Sequence, residues 1–165
     1  MTSEHLLHTI PPIYDGNSKI LILGSFPSVK SREVSFYYGH PQNRFWRVLA
    51  AVLGCAVPSS NEEKTALLQS HNIALWDVIK SCDIVGSSDN SIKNVVPNDI
   101  GVILSSCGIR QIYSNGKTSE KLFNKYIKDT VGRDTVALPS TSPANASYNL
   151  ERLTDSWSVI KNNIR

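Results

Sequence analysis

No stretch of this 165-residue chain holds the roughly 18–20 consecutive apolar residues that span a bilayer. Cysteine is equally scarce. Cys55, Cys82 and Cys107 are an odd number with no C-x-x-C pair, which leaves neither a disulfide framework nor a zinc or iron–sulfur ligand set. There is no G-x-G-x-x-G fingerprint for a dinucleotide and no G-x-x-x-x-G-K-[ST] phosphate loop. Ser25 and Ser28 do not sit in G-x-S-x-G, which argues against a hydrolase nucleophile elbow. No histidine pair has convincing metal-ligand spacing: His5 and His8 stand three apart in a terminal segment and read as solvated. Neither a metal nor a cofactor is expected. The first residues, MTSEHLLHTIPPIYDG, carry Glu4 where a secretory signal has positive charge, so the expectation is a cytoplasmic protein with no membrane segment.

Charge of one sign is also missing. Seventeen Lys and Arg against fourteen Asp and Glu give a net charge of +3, compatible with a polyanion partner without demanding one. With 41% hydrophobic and 19% charged residues, the composition excludes a disordered chain. The length fits one domain, residues 1–165, able to bury a core without staples.

What is present is alternation between short apolar runs and helical patterns. Ile20-Leu21-Ile22-Leu23 is a continuous apolar run stopped by Gly24, as a strand buried on both faces would be. From Pro41 the spacing of Phe45, Val48, Leu49, Val52 and Leu53 is helical, with Gly54 as its stop. Asn61 is the expected cap of a second helix, with Glu62 and Glu63 in its first turn. Residues 73–79 read as a strand, and 81–97 mostly as loop. Asn98 reads as the cap of a short helix through Leu104. Residues 109–114 form a third predicted strand, followed by a basic helix over 117–128, a fourth strand over 135–138, and a final helix striped by Leu150, Leu153, Trp157, Ile160 and Ile164. This order predicts an α/β fold: three layers, α/β/α, around a central four-stranded parallel sheet.

Open parallel sheets bind ligands at the carboxyl ends of their strands. Four segments fall there: Gly24–Ser28, Trp76–Asp77, Asn115–Gly116 and Pro139–Asn145. Nearby, SFYYGHPQNRFW joins three aromatics to a glycine and places Pro41 where a helix would begin. Arg32, Arg44 and Arg47 flank it. That grouping suits a flat ring plus a phosphate; it equally suits core aromatics and solvated arginines. Lys117, Lys121, Lys125 and Lys128 share helical spacing, which a solvated face explains without DNA.

LGSFPS, then FYYGHPQNRFW, then LPSTSPANA resemble, in that order, the hypoxanthine-DNA glycosylase family within the uracil-DNA glycosylase superfamily. The likeness extends over nearly the whole chain, including WDVI, GSSDNSI and PNDI. It implies a uracil-DNA glycosylase-like fold. It also implies a monomeric, cofactor-free, monofunctional enzyme that flips deaminated bases out of DNA and hydrolyses the N-glycosidic bond. Hypoxanthine is the first expected base and uracil the second.

Other branches place a water with an Asp or Asn in the first motif, and GSFPS has neither. The resemblance instead implies that Asn43 carries catalysis, orienting a water by donating and accepting. On its residues alone, Asn43 reads as a polar residue of a first helical turn that bonds the preceding loop. The implied base pocket comprises the backbone N–H groups of Ser25 and Phe26, close approach at Gly24, Tyr38 as the preferred stacking face, and Asp77 reading the base edge. Asp77 reads equally well as a loop cap. The third motif lacks the histidine that many relatives carry; His40 is either its replacement or a helix cap. Ser140, Thr141, Ser142 and Asn145 are the implied DNA contacts, with a strand-to-helix loop braced by its own hydroxyls as the alternative.

Overall fold

The computed structural model describes residues 2–165. Its strands are β1 (Glu4–Leu7), β2 (Ile20–Gly24), β3 (Ile73–Asp77), β4 (Ile79–Ile84), β5 (Lys93–Pro97), β6 (Gln111–Asn115) and β7 (Thr135–Leu138). Its helices are α1 (Val29–Val34), α2 (Phe45–Leu53), α3 (Asn61–Ser70), α4 (Gly101–Ser106), α5 (Lys117–Tyr126), α6 (Lys128–Val131) and α7 (Leu150–Trp157).

All five residues of β2 are buried, because both faces of a central parallel strand are covered. It pairs in parallel with β3 on one side and β6 on the other, and β6 pairs in parallel with β7. The sheet order is therefore β3-β2-β6-β7, the expected four-stranded parallel sheet. Alternate residues of β2 feed two cores. Ile20 and Ile22 pack with α2, α3 and α7 through Leu49, Leu68, Leu153 and Trp157. Leu21 and Leu23 pack on the opposite face against Ile103 of α4 and Phe123 of α5. The architecture is α/β in three layers.

Helix ends follow local chemistry. Gly54 stops α2 in the left-handed conformation, φ 69°. The cap of α3 is Ser60, not Asn61: its side chain accepts the N–H of Glu63. Helix α2 begins at Phe45, not Pro41, and residues 36–44 form a turn ahead of it. Asn98 is not a cap either. Its buried amide donates to the carbonyls of Asp77 and Ile79 and fixes the backbone where β3 hands over to β4.

The main departure lies at 81–97. This polar stretch is not mostly loop: residues 81–84 belong to β4 and 93–97 to β5, which pair antiparallel on either side of the loop between them, and β1 adds to the other side of β4. Register shifts between Ile79 and Ser81 and between Ser81 and Asp83 break the period of two, which hides the strand from pattern reading. Ile79, Cys82 and Ile84 nevertheless face the second core. Burial pushes the Cys82 thiol up to about 11, with Asp83 adding to the rise, so it is an inert core thiol. Strand β1 is the element that carries the N-terminal segment beneath the end of β3.

Trp157 is fully buried between α2 and the sheet, edge-on to Phe45, and its indole N–H donates to the Pro139 carbonyl at 2.9 Å. Trp157→Ala is expected to cost about 3–5 kcal/mol, read as a lower urea midpoint at an unchanged slope.

Candidate active site

The carboxyl ends of β2, β3, β6 and β7 open into one cleft of about 430 Å³, within the size range of small-molecule sites. All four segments expected at the strand ends contribute to its lining: Gly24–Ser28, Asp77, Asn115–Gly116 and Ser140–Ser142. The opposite wall is the loop Ser87–Asn90, which sequence reasoning did not connect with the site.

Asp77 lies on the floor, 4% exposed. A Cβ on Gly24 would stand 2.4 Å from Asp77 Oδ1 and 2.9 Å from the Tyr38 hydroxyl, so only glycine admits both groups at that point. The other carboxylate oxygen, Oδ2, accepts a hydrogen bond from His8 Nε2 at 2.8 Å, and the His8 side chain is 1% exposed. The expectation of a solvated His8 is therefore wrong. The strand pairing of β1 with β4 carries His8 inward, and its N–H donates to the Lys80 carbonyl. Nothing local in the sequence signals this, since the partner lies 69 residues away. His5, by contrast, remains exposed and pairs with Asp83.

Among the described residues, no acceptor takes the backbone N–H groups of Ser25 and Phe26. Phe26 is half-buried; the His8 ring meets it edge-on at 6.0 Å and the Arg32 guanidinium lies 5.8 Å from its centroid. Tyr38 stacks on Phe45 at 4.1 Å and 19°, which covers one of its faces. Its φ of 53° is left-handed, a strain of about 1 kcal/mol or more held in place by that stack. Among the described residues, the buried Tyr38 hydroxyl has no hydrogen-bond partner. Burial first and the Asp77 carboxylate second push the phenols of Tyr37 and Tyr38 above their ordinary range, so both stay O–H groups. Tyr37 is core: its hydroxyl holds the carbonyls of Ile10 and Pro11.

Asn43 sits at the turn before α2. Its Oδ1 accepts the Phe45 N–H at 2.9 Å, which fixes which way the amide faces. The same oxygen accepts the Thr141 hydroxyl at 2.9 Å. Thr141 Oγ1 in turn accepts from Asn115 Nδ2 at 3.0 Å, and Asn115 Oδ1 accepts the Thr141 N–H. Asn43 thus lies ahead of α2, not within its first turn, and its side chain bonds forward to the first helical residue, Phe45, not back to the preceding loop. It also keeps Nδ2, for which no described residue provides an acceptor.

The third motif is corrected at Thr141. Thr141 is fully buried and both its backbone groups and its hydroxyl are bonded within the protein, so it is a brace for Asn43, not a phosphate contact. Asn145 lies outside the cleft lining; its amide donates to the Ser140 carbonyl and its own carbonyl accepts from Arg44. Ser140 and Ser142 line the cleft, yet their hydroxyls also accept loop N–H groups. Arg44 is no free cation: its guanidinium holds the carbonyls of Ser142, Asn145 and Tyr148. Arg32 likewise donates to the Pro27 and Gly86 carbonyls. His40 accepts the Gln42 N–H and lies outside the cleft. Of the four spaced lysines, Lys117 alone lines it.

Open backbone donors, aromatic rings, neutral amides and the carboxyl groups of Asp77 and Asp89 line a pocket that suits a flat heterocycle. Among the described residues, no group of three or more His, Cys, Asp or Glu could hold a metal, and no helix is long and apolar enough to cross a membrane. Comparison with known proteins identifies the class. A model of the uracil DNA glycosylase superfamily matches residues 11–162. A hypoxanthine DNA glycosylase of Methanosarcina barkeri (strain Fusaro / DSM 804) is 36% identical over 137 residues, covering 82% of this chain and 85% of that protein. A hypoxanthine DNA glycosylase of Methanosarcina acetivorans is 34% identical over 152 residues, covering 91% and 94%. The solution structure of a Methanosarcina acetivorans protein, described as a candidate uracil DNA glycosylase, is similar with a TM-score of 0.79 and 32% identity, covering 92% of this chain and 94% of that one. The chain belongs to the uracil DNA glycosylase superfamily. It is a DNA glycosylase, and DNA is its substrate.

Gly24→Ala would drive a methyl into Asp77 Oδ1. Base excision is expected to fall about 100-fold or more, with a melting temperature still showing a cooperative fold; single-turnover kinetics alongside a thermal melt check both.

Proposed function

We propose that this enzyme removes hypoxanthine from deoxyinosine in DNA, with uracil as a second substrate, acting as a monomer without a cofactor. The observation that carries the reading is the pairing of open N–H donors at Ser25 and Phe26 with an acceptor-only carboxylate oxygen on Asp77. That pair complements a lactam edge, a carbonyl oxygen beside a ring N–H. Hypoxanthine and uracil carry such an edge; adenine and cytosine, from which they arise by deamination, do not. Guanine and thymine do carry one. Their exclusion falls to pocket shape and to the cost of unpairing an intact pair, which is lowest for a mismatched base. The relatives named hypoxanthine DNA glycosylase support the same reading.

In the reaction the glycosidic bond breaks first, leaving an oxocarbenium-like sugar and negative charge on the departing base. The Ser25 and Phe26 N–H groups stabilise that charge at the carbonyl oxygen. Tyr38, of which Phe45 covers one face, and the half-buried Phe26 both line the cleft and offer the base a ring. Asn43 donates from Nδ2 to the attacking water, holding it against the sugar while its second lone pair forms the new bond. A neutral amide takes no proton; once the water has added to the cation its extra proton leaves to solvent and the departing base anion takes one up, giving a 1-hydroxy sugar and a neutral base. Thr141 and Asn115 hold Asn43 in that pose. Ser140, Ser142 and Lys117 border the entry and meet the DNA backbone.

Single-turnover excision from a deoxyinosine duplex tests these roles. Asn43→Ala should slow excision about 100-fold or more while DNA affinity changes little. Thr141→Val, which keeps the shape but loses the hydroxyl, should slow it about 10-fold. Undiminished excision by Asn43→Ala would remove the amide from the mechanism.

A further inference from the structure

The strongest unassigned feature is the buried contact between His8 and Asp77. His8 precedes residues 11–162, the part matched by the superfamily model, and no motif of the cleft includes it. Its side chain is nonetheless as inaccessible as the core, and it is held on three sides. Strand β1 anchors it through pairing with β4 and through the bond from its own N–H to Lys80. The rings of Phe26 and Tyr37 lie 6.0 and 6.1 Å away. The chain leaving it is clamped where the Tyr37 hydroxyl bonds Ile10 and Pro11 and where Ile13 bridges to Leu75.

We infer that His8 is a positioning residue for base recognition: by donating from Nε2 to Asp77 Oδ2 it presents Oδ1 to the base as a fixed, acceptor-only oxygen. This rests on the reading of Asp77 as the group that meets the ring N–H.

The physical need is specific. A lone carboxylate on a short side chain can turn away from the base, and that movement would blur the distinction between a base with a ring N–H and one without. The donor on Oδ2 leaves one rotamer in which that oxygen is bonded, and in it Oδ1 lies against Gly24, where there is no side chain to cover it. The imidazole serves the reaction as well. A full carboxylate charge opposes the negative charge growing on the departing base, and sharing it with an N–H donor weakens that opposition.

The test compares duplexes carrying deoxyinosine or 1-methyldeoxyinosine, in which a methyl replaces the N1–H. Single-turnover rates would be measured for the unmodified enzyme and for His8→Ala, His8→Gln, Asp77→Ala and the His8→Ala/Asp77→Ala double variant. The unmodified enzyme should prefer deoxyinosine strongly. His8→Ala should narrow that preference about 10-fold or more, because the deoxyinosine rate falls while the freed carboxylate can swing away from the methyl. His8→Gln, whose amide N–H reaches toward the same oxygen, should restore most of the preference. On the Asp77→Ala background, His8→Ala should leave the preference unchanged, because histidine acts only through the carboxylate.

A purely structural His8 gives a different result: both substrates slow in parallel, the preference is intact, and Gln does no better than Ala. That outcome overturns the proposal, as does an equal further narrowing on the Asp77→Ala background. If Asp77→Ala itself retains the full preference, the reading of Asp77 has failed and the role of His8 falls with it. Failure at that level is distinguishable, because it shows in the Asp77 variant alone. Should His8→Ala not fold, His8→Gln against Asp77→Ala decides the matter.

Discussion

The Asp77 carboxylate can occupy the floor of the cleft because Gly24, its neighbour across the β2–β3 ladder, has no side chain. Much of the site's geometry follows from this constraint. Burying a carboxylate is costly unless its oxygens are bonded, and His8 meets that requirement for one oxygen while the other stands against Gly24 at the cleft. The backbone at the same point is secured independently by Asn98, which bonds the carbonyls on either side of the turn into β4. The small antiparallel sheet is thus part of the site's support: β1 delivers His8, and β4 continues directly from the strand that delivers Asp77.

A second support system holds Asn43 on the other side of the cleft. There the third motif acts mainly through hydrogen bonds inside the protein. Arg44 gathers three carbonyls of the 142–148 loop, and just ahead of that loop stands Thr141, whose hydroxyl bridges Asn115 and Asn43. Strand β6, strand β7 and the entry to α2 are thereby tied at one point. A neutral amide held this firmly is a positioning device, consistent with a reaction whose barrier lies in bond breaking to the base and whose nucleophile is water. The superfamily match shows a DNA glycosylase; on the proposed reading, these bonds are how a chain with no Asp or Asn in its first motif places its water.

The parallel sheet was legible because its determinants are local. The run Ile20–Leu23 is buried on both faces and reads so, and the strand at Thr135–Leu138 falls where expected. The cleft was legible through topology, since ligands of such sheets lie at the strand ends. What the sequence concealed depends on distant pairing. His8 looks like any terminal histidine until β1 pairs with β4. The strands within 81–97 lose their alternation to register shifts and carry polar residues on their open face. Thr141 and Arg44 belong to residue types that signal DNA contacts, yet each is satisfied by carbonyls or amides that only folding brings near. Side-chain type predicted where the site lies better than it predicted which atoms remain free within it.

Release of an intact base is the event that defines the reaction. Enzyme in excess of a duplex holding one deoxyinosine, followed by mass spectrometry of the small-molecule fraction and alkali treatment of the strand, measures it directly. Free hypoxanthine is expected in equal amount to abasic sites, with the strand unbroken until alkali is added. Tight binding to the lesion with no hypoxanthine released would contradict it.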